Sequence, residues 1–246
     1  YVFVFDEDGN VCKEGSGLYS NPNTTTDDNG KVTGNIVFTA RSKNNAQIAG
    51  IANITTGNVN STYELTENQL KEVKTKPQLL ALLANLNEQT LERSSQFIMS
   101  GWVTDGKGNE IFNIPGSEDS EKITEFNCNL QLKRLDAKVE FIVKTEVPAE
   151  KIGIWKNFDF LPKDWRVVNV PAQSLVLPRE TGDADGDGCT YFESPEMPFE
   201  TIGRDGEYLL DSCAFVFYMP ESRKEDFRRN RSDGRSGTVR PARKAG

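Results

Sequence analysis

Short apolar runs alternate along this chain with polar segments that contain glycine, and the pattern predicts many short strands. Residues 1–5 form a continuously apolar run, which is typical of a strand buried on both faces. The next five residues contain Asp8-Gly9, a pair that favours a tight turn. Residues 36–40 alternate between apolar and polar, and residues 48–54 are largely apolar, so both segments are predicted as strands.

A single region near residues 66–86 has the pattern of helices. Thr66 is followed three residues later by Gln69, a spacing that predicts a capping box at a helix start. Leu65 and Leu70 then occupy the two positions of a hydrophobic staple. Pro77 ends this helix or begins the next, and the leucines of residues 79–86 predict a second, short amphipathic helix that packs on a sheet.

The clearest strand region of the chain is residues 130–144. Its apolar positions alternate with charged ones, so one face is expected in a core and the other in water. The apolar face consists of Leu135, Ala137, Val139, Phe141 and Val143. Further strands are predicted at residues 97–99, 165–171, 175–177 and 213–219, with a hairpin-type turn at residues 105–109.

Because strands dominate and helix is confined to one region, the sequence predicts an all-β fold with a small helical insertion. The segment Glu146-Val147-Pro148-Ala149 is the expected domain boundary. The prediction is therefore two β-sandwich domains, residues 1–145 and residues 146–246, the second of them partial. Because the chain begins inside an apolar run, we expect it to be a processed or truncated product.

The charge distribution argues against a nucleic acid partner. The formal net charge is -8, and an acidic surface repels phosphate backbones. From residue 222 onward there are nine Lys or Arg against three Asp or Glu, and the stretch has no apolar period. We interpret it as a solvated basic tail rather than a nucleic acid arm.

The amino-acid composition also argues against an enzyme. The chain contains no histidine, which removes the usual general base and the commonest metal ligand. No Asp or Glu is marked out by an apolar setting and a positioned partner, so a β-sandwich glycoside hydrolase is a remote alternative. None of the four cysteines lies in a C-x-x-C pair, and whether they form disulfides is left open. No apolar run is long enough to predict a membrane-spanning helix.

One short motif suggests a metal site. Asp183, Asp185 and Asp187 are followed by Gly188 and match the first half of a calcium-binding loop. The twelfth loop position is Ser194 rather than the bidentate glutamate, so the ligand set is incomplete. Two interpretations stay open: a calcium site, or an acidic hairpin tip without a metal. No other cofactor is predicted.

Three tryptophans, at positions 102, 155 and 165, raise the alternative of a glycan-binding surface module. Aromatic faces can stack on sugar rings, but tryptophan more often packs in a core or at its rim. Trp165 lies in an apolar strand pattern and is predicted in the core.

Five segments together resemble the fimbrillins of Bacteroidetes, the subunits of type V pili. The segment LQLKRLDAKVEF at residues 130–141 resembles the family's pattern L-x-R-x-x-A-K/R-V/M-x-F, and residues 97–101 (FIMSG) resemble the strand before it. Residues 165–171 (WRVVNVP) and 215–221 (FVFYMPE) are similar to stretches of the family's C-terminal domain. Residues 2–9 (VFVFDEDG) are similar to its early strand.

The resemblance implies transthyretin-like β-sandwich domains in a structural and adhesive subunit of cell-surface fimbriae. It implies export as a lipoprotein precursor, cleavage after an arginine, and loss of a first strand. A strand of the next subunit would then fill the groove, so that the partners are other fimbrial subunits, with a receptor or glycan as a further partner. Such a protein is held at the outer membrane through the assembly. The expected groove residues are Val2, Val4, Leu135, Ala137, Val139 and Phe141.

Overall fold

The computed structural model describes residues 1–20, 24–28, 32–54, 62–93, 97–117, 122–144, 164–177, 189–198 and 212–220. Within them the chain is mostly β and has two short helices, as the all-β prediction requires. The helices are α1 (Glu67–Glu72) and α2 (Lys76–Leu80). The strands are β1 (Val2–Phe5), β2 (Thr24–Thr26), β3 (Val32–Gly34), β4 (Lys43–Ala52), β5 (Leu83–Asn85), β6 (Met99–Thr104), β7 (Phe112–Ile114), β8 (Asn129–Leu130), β9 (Lys133–Arg134), β10 (Asp136–Lys144), β11 (Asp164–Trp165), β12 (Val170–Pro171), β13 (Gln173–Leu175), β14 (Tyr191–Phe192), β15 (Met197–Pro198) and β16 (Ser212–Pro220).

The main sheet is antiparallel and is built around β4. One edge of β4 pairs with β1, with Val4 opposite Ile48. The other edge pairs first with β7 and then with β6, where Ala49 lies opposite Trp102. Beyond β6 lie β8 and β9, which pair with its two ends.

Strand β1 is enclosed, as the apolar run predicts. All four of its residues are buried. Its free edge is covered by the returning chain, since the N–H of Val2 donates to the carbonyl of Gly17 (2.8 Å) and the N–H of Cys12 donates to that of Val4 (2.7 Å). The predicted turn lies between them, with Gly9 at a φ of 79°, a conformation that glycine adopts without strain.

Side chains on the two faces of the main sheet enter two different apolar clusters. Phe3, Phe5, Ala49 and Ile51 belong to the main cluster, which also contains both helices' buried leucines. The alternate residues belong to a smaller second cluster of five buried side chains: Val2, Val4, Ile48, Val103 and Phe112. The period-two alternation of β1 and β4 therefore decides which cluster each side chain enters.

Helix α1 begins as predicted. The N–H of Gln69 donates to the Thr66 hydroxyl (3.3 Å), and the N–H of Thr66 donates to the Gln69 side chain (2.8 Å), which completes the capping box. Pro77 lies in the first turn of α2, so it begins the second helix. That helix is shorter than predicted, because residues 83–85 form β5 and pair with β13 instead.

Segments on the two sides of residue 145 share one core. Val170, Val176, Leu177, Phe192 and Phe217 all belong to the main cluster together with residues of β1 and β4. Strands β5 and β13 also pair across this position, and β10 pairs with β16 over nine residue pairs. The division into domains of residues 1–145 and 146–246 stays a prediction.

Two predicted elements differ from the structure. Residues 36–40 form no strand, and of their side chains Phe38 packs against the second cluster, where its ring contacts that of Tyr19. The turn at residues 105–109 is present, held by Asp105, but it does not join a hairpin. The strands that flank it, β6 and β7, both pair with β4 rather than with each other.

A third prediction, a single strand over residues 165–171, is also wrong. Only its two ends are strands, β11 and β12, and Asn169 between them has a φ of 57°.

Candidate assembly surface

The main sheet has a second face, defined here as the side that carries Val2, Val4, Ile48, Val103 and Phe112. Fewer buried side chains cover this face than cover the face toward the main cluster. Among the described residues, these five form the buried part of the second cluster. Its partly buried neighbours come from both edges of the sheet: Cys12, Tyr19, Phe38, Ile114, Cys128 and Leu130. Neither helix contributes to it.

Two glycines make a trough in this face. Gly50 of β4 and Gly101 of β6 are register partners, so they lie side by side. A Cβ on Gly50 would overlap Cδ2 of Leu130, and a Cβ on Gly101 would overlap the carbonyl oxygen of Gln131. The absence of side chains at both positions therefore lets residues 130–131 lie directly on the sheet.

The cover over this face has no regular secondary structure. Residues 35–42 and 122–128 belong to no helix or strand. Val37 is 90% exposed and Ile123 is 79% exposed, although both are large and apolar. Two further exposed apolar side chains lie in these segments: Ile36 and Phe126. Exposed large apolar side chains on one face of a protein are a feature of interaction surfaces.

The six groove residues expected from the sequence do not lie together. Val2 and Val4 are buried under the second face. Leu135 is buried in the main cluster, and Val139 packs against that cluster from its edge. Ala137 and Phe141 are exposed on β10, the latter by 52%.

The expected alternation of β10 is therefore only partly present. Leu135 and Val139 face the core as predicted, but Asp136 is buried although the pattern assigns it to water. Asp136 is buried because it has polar partners: the Tyr63 hydroxyl donates to its Oδ1 (2.8 Å), and Nε of Arg93 donates to the same atom (3.0 Å). Burial and the neighbouring Asp136 charge raise the pKa of Tyr63, so its hydroxyl stays a donor.

Among the described residues, strands β10 and β16 form a two-stranded ribbon. Register pairs run from Asp136–Pro220 at one end to Lys144–Ser212 at the other. At the first end Phe217 packs in the main cluster and contacts the Trp165 ring, with centroids 6.0 Å apart. Trp165 is thus partly buried at the rim of the core, rather than inside it as predicted.

The calcium motif, the cysteines and Trp102 were the other candidates for a chemical site, and none of them forms such a site within the described residues. Asp183, Asp185 and Asp187 lie outside the described residues, and calcium binding stays a prediction. Within the described residues no three acidic or cysteine side chains are grouped to hold a metal ion. Among the described residues, Cys12 and Cys128 are not joined in a disulfide. Trp102 lies beneath the Lys76 ammonium, 5.2 Å from its ring centroid.

The sequence pattern missed the buried Tyr63–Asp136–Arg93 group and the glycine trough. No local signal could have revealed the first, because its members are 43 and 73 residues apart. The trough had a weak signal, since an isolated glycine inside a predicted strand suggests close approach of another backbone.

The described residues thus define a mostly β protein with open, antiparallel sheets and an irregular apolar cover over one sheet face. Residues 1–134 match the family model of the major fimbrial subunit protein (FimA). Because this match covers more than half of the 246 residues, the chain belongs to that family, as the resemblance to fimbrillins implies. No curated protein and no solved structure matches it significantly.

Membership of this family makes the chain a structural subunit of cell-surface fimbriae that assembles with other fimbrial subunits. Among the described residues no helix is long and apolar enough to span a membrane.

Proposed function

We propose that this subunit assembles by strand addition, in which a strand of a neighbouring subunit lies on the second face of the main sheet. The observation that carries the proposal is the irregular apolar cover of residues 35–42 and 122–128. An extended strand laid there would bury exposed apolar side chains and supply backbone partners to segments that lack a sheet.

The geometry favours this face over the edge of β1. Both edges of β1 are already paired, one with β4 and one with the returning chain at Cys12 and Gly17. Val2 and Val4 therefore contribute to the floor beneath the incoming strand, rather than to an edge that it pairs with.

The opposite face is a poorer acceptor. It is covered by both helices and by β12, and its buried side chains form the larger cluster. A strand added there would have to displace that cover and expose buried apolar residues, whereas segments 35–42 and 122–128 already present exposed apolar side chains to an added strand.

Two charged substitutions test the proposal. In Val37→Asp and Ile123→Asp the new carboxylate is exposed in the monomer, so we expect an unchanged melting temperature. In an assembled fibre the same carboxylate would be buried without a partner, so we expect assembly to be lost. Val168→Asp is the matched control, since Val168 is also an exposed apolar residue but lies between β11 and β12.

The assay is trimming of the precursor by an arginine-specific protease, followed by size-exclusion chromatography and electron microscopy. We expect detergent-resistant ladders or filaments from the unmodified chain and from Val168→Asp, but monomers from the other two variants. Filaments from Val37→Asp and Ile123→Asp at the normal rate would refute the second face as the acceptor. Trimmed but unmodified protein that remains monomeric would refute strand addition itself.

We propose further that the chain is not an enzyme and that any role in adhesion belongs to the assembled fimbria. The first statement is supported by the structural role of the family. Turnover on a glycan panel that is lost on substitution of one carboxylate would contradict it.

A further inference from the structure

The ribbon of β10 and β16 is attached to the rest of the protein at one end by a buried polar group, in addition to the apolar contacts of Phe217 and Val139 with the main cluster. The side chains of Arg93 and Asp136 are both completely buried, with Nε and Oδ1 3.0 Å apart. Tyr63, from the segment before α1, donates to the same carboxylate oxygen. Since Asp136 is the first residue of β10, this group fixes the position of that strand.

The loop of residues 90–93, which contains Arg93, also binds β16, the strand that pairs with β10. The backbone N–H of Tyr218 in β16 donates to the carbonyl of Leu91 (3.0 Å), two residues before Arg93. Nη1 of Arg93 donates to the carbonyl of Thr90 (2.6 Å), so the loop is held to its own guanidinium. Loop residues 90–93 therefore bind both strands of the ribbon at its Asp136–Pro220 end.

The buried group is incompletely paired, which argues against a role in stability alone. Nη2 of Arg93 and Oδ2 of Asp136 are buried and have no hydrogen-bond partner among the described residues. A buried ion pair with unsatisfied atoms recovers less of its desolvation cost than an apolar cluster of similar volume would. Such a group is better explained as fixing one arrangement of the chain than as raising the total stability.

We propose that Tyr63, Arg93 and Asp136 form a latch that keeps the β10–β16 ribbon closed on the core, and that the ribbon opens as a unit when the latch breaks. The remainder of the ribbon is suited to this, because a two-stranded ribbon is marginal alone and Phe141 and Val216 are exposed on it. The inference does not depend on strand addition at the second face, which involves other strands.

Hydrogen exchange measured by mass spectrometry on Tyr63→Phe and Asp136→Asn tests the latch. We expect amides of β10 and β16 to exchange at least about tenfold faster, while those of β1 and β4 stay unchanged. If Asp136→Asn fails to fold, Tyr63→Phe still gives the answer, because it removes only one hydroxyl.

Thr66→Ala is the matched control, since it removes the cap of α1 without touching the ribbon. It should lower global stability without preferential exchange in β10 and β16. Equal acceleration in all strands of Tyr63→Phe, or unchanged exchange in the ribbon, would overturn the proposal. Preferential acceleration of the ribbon in Thr66→Ala would overturn it as well, because opening would then not depend on the latch.

Discussion

The glycine trough of the second face gives a graded prediction. Gly50 and Gly101 are neighbours in the sheet, and each is closely approached by residues 130–131. Replacing either glycine by alanine adds the same methyl group to a strand, but the atom that this methyl group would overlap differs between the two positions. At Gly50 it is the end of the Leu130 side chain, whereas at Gly101 it is the backbone oxygen of Gln131.

The loss in free energy of unfolding depends on whether a side chain or the backbone must move to make room for the new methyl group. Leu130 can change rotamer, so we expect Gly50→Ala to cost near the lower end of the ~1–3 kcal/mol typical of overpacking. The backbone at Gln131 cannot yield without disturbing β8 and β9, so Gly101→Ala should cost the upper end of that range or more. Gly106→Ala meets no atom within 4 Å and should be neutral or stabilising by about 0.4–1 kcal/mol.

The measurement is urea unfolding of the three variants with the slope checked for constancy. The order of stability should be Gly106→Ala, then Gly50→Ala, then Gly101→Ala. In a Leu130→Ala background the cost of Gly50→Ala should shrink, because the overlapping atom is gone. A Gly101→Ala variant as stable as Gly106→Ala would refute the close approach of residues 130–131 to the sheet.

Three further outcomes are expected. Because the pKa of Tyr63 is raised on folding, its hydroxyl contributes stability that is complete below about pH 10 and lost at higher pH. The melting temperature of Tyr63→Phe should therefore fall less steeply than that of the unmodified chain between pH 9 and pH 11 (roughly the range of tyrosine titration). An equal slope in the two proteins would contradict this. Thr66→Ala should cost about 0.5–2 kcal/mol in denaturant unfolding, since the capping box of α1 loses its acceptor, and a cost near zero would contradict the cap. Gly108→Ala should destabilise the turn at Asp105, because Gly108 has a φ of 88°, whereas Gly106→Ala in the same turn should not, and equal effects would contradict the turn geometry.

Local patterns were good predictors wherever the deciding contacts were local. The capping box at Thr66 and Gln69 involves residues three apart, and the turn after β1 depends on one Asp-Gly pair, so both could be derived from sequence and are present. The buried character of β1 was also evident, because a run of apolar residues can be satisfied only by burial on both faces.

Predictions that depended on the face of a strand fared less well. The period-two pattern of β10 identified Leu135 and Val139 as core-facing but also placed Ala137 and Phe141 there. Phe141 is exposed because β10 has only β16 as its partner among the described strands and the ribbon contacts the core near its Asp136 end, and Ala137 is exposed even at that end. Period alone fixes which residues share a face, but not whether another layer covers that face.

Taken by itself, the sequence determined the all-β character, the start of α1 and the resemblance to fimbrillins, because each rests on spacings within a few residues or on motifs in order. Only the tertiary structure decided that residues 83–85 leave the helical pattern for β13, that Gly50 and Gly101 meet, and that Asp136 is buried beside Tyr63 and Arg93. These outcomes depend on partners tens of residues away. Their energies come from burial and pairing, which outweigh local preference and leave at most a weak signal in the local pattern, such as the isolated glycines of the trough.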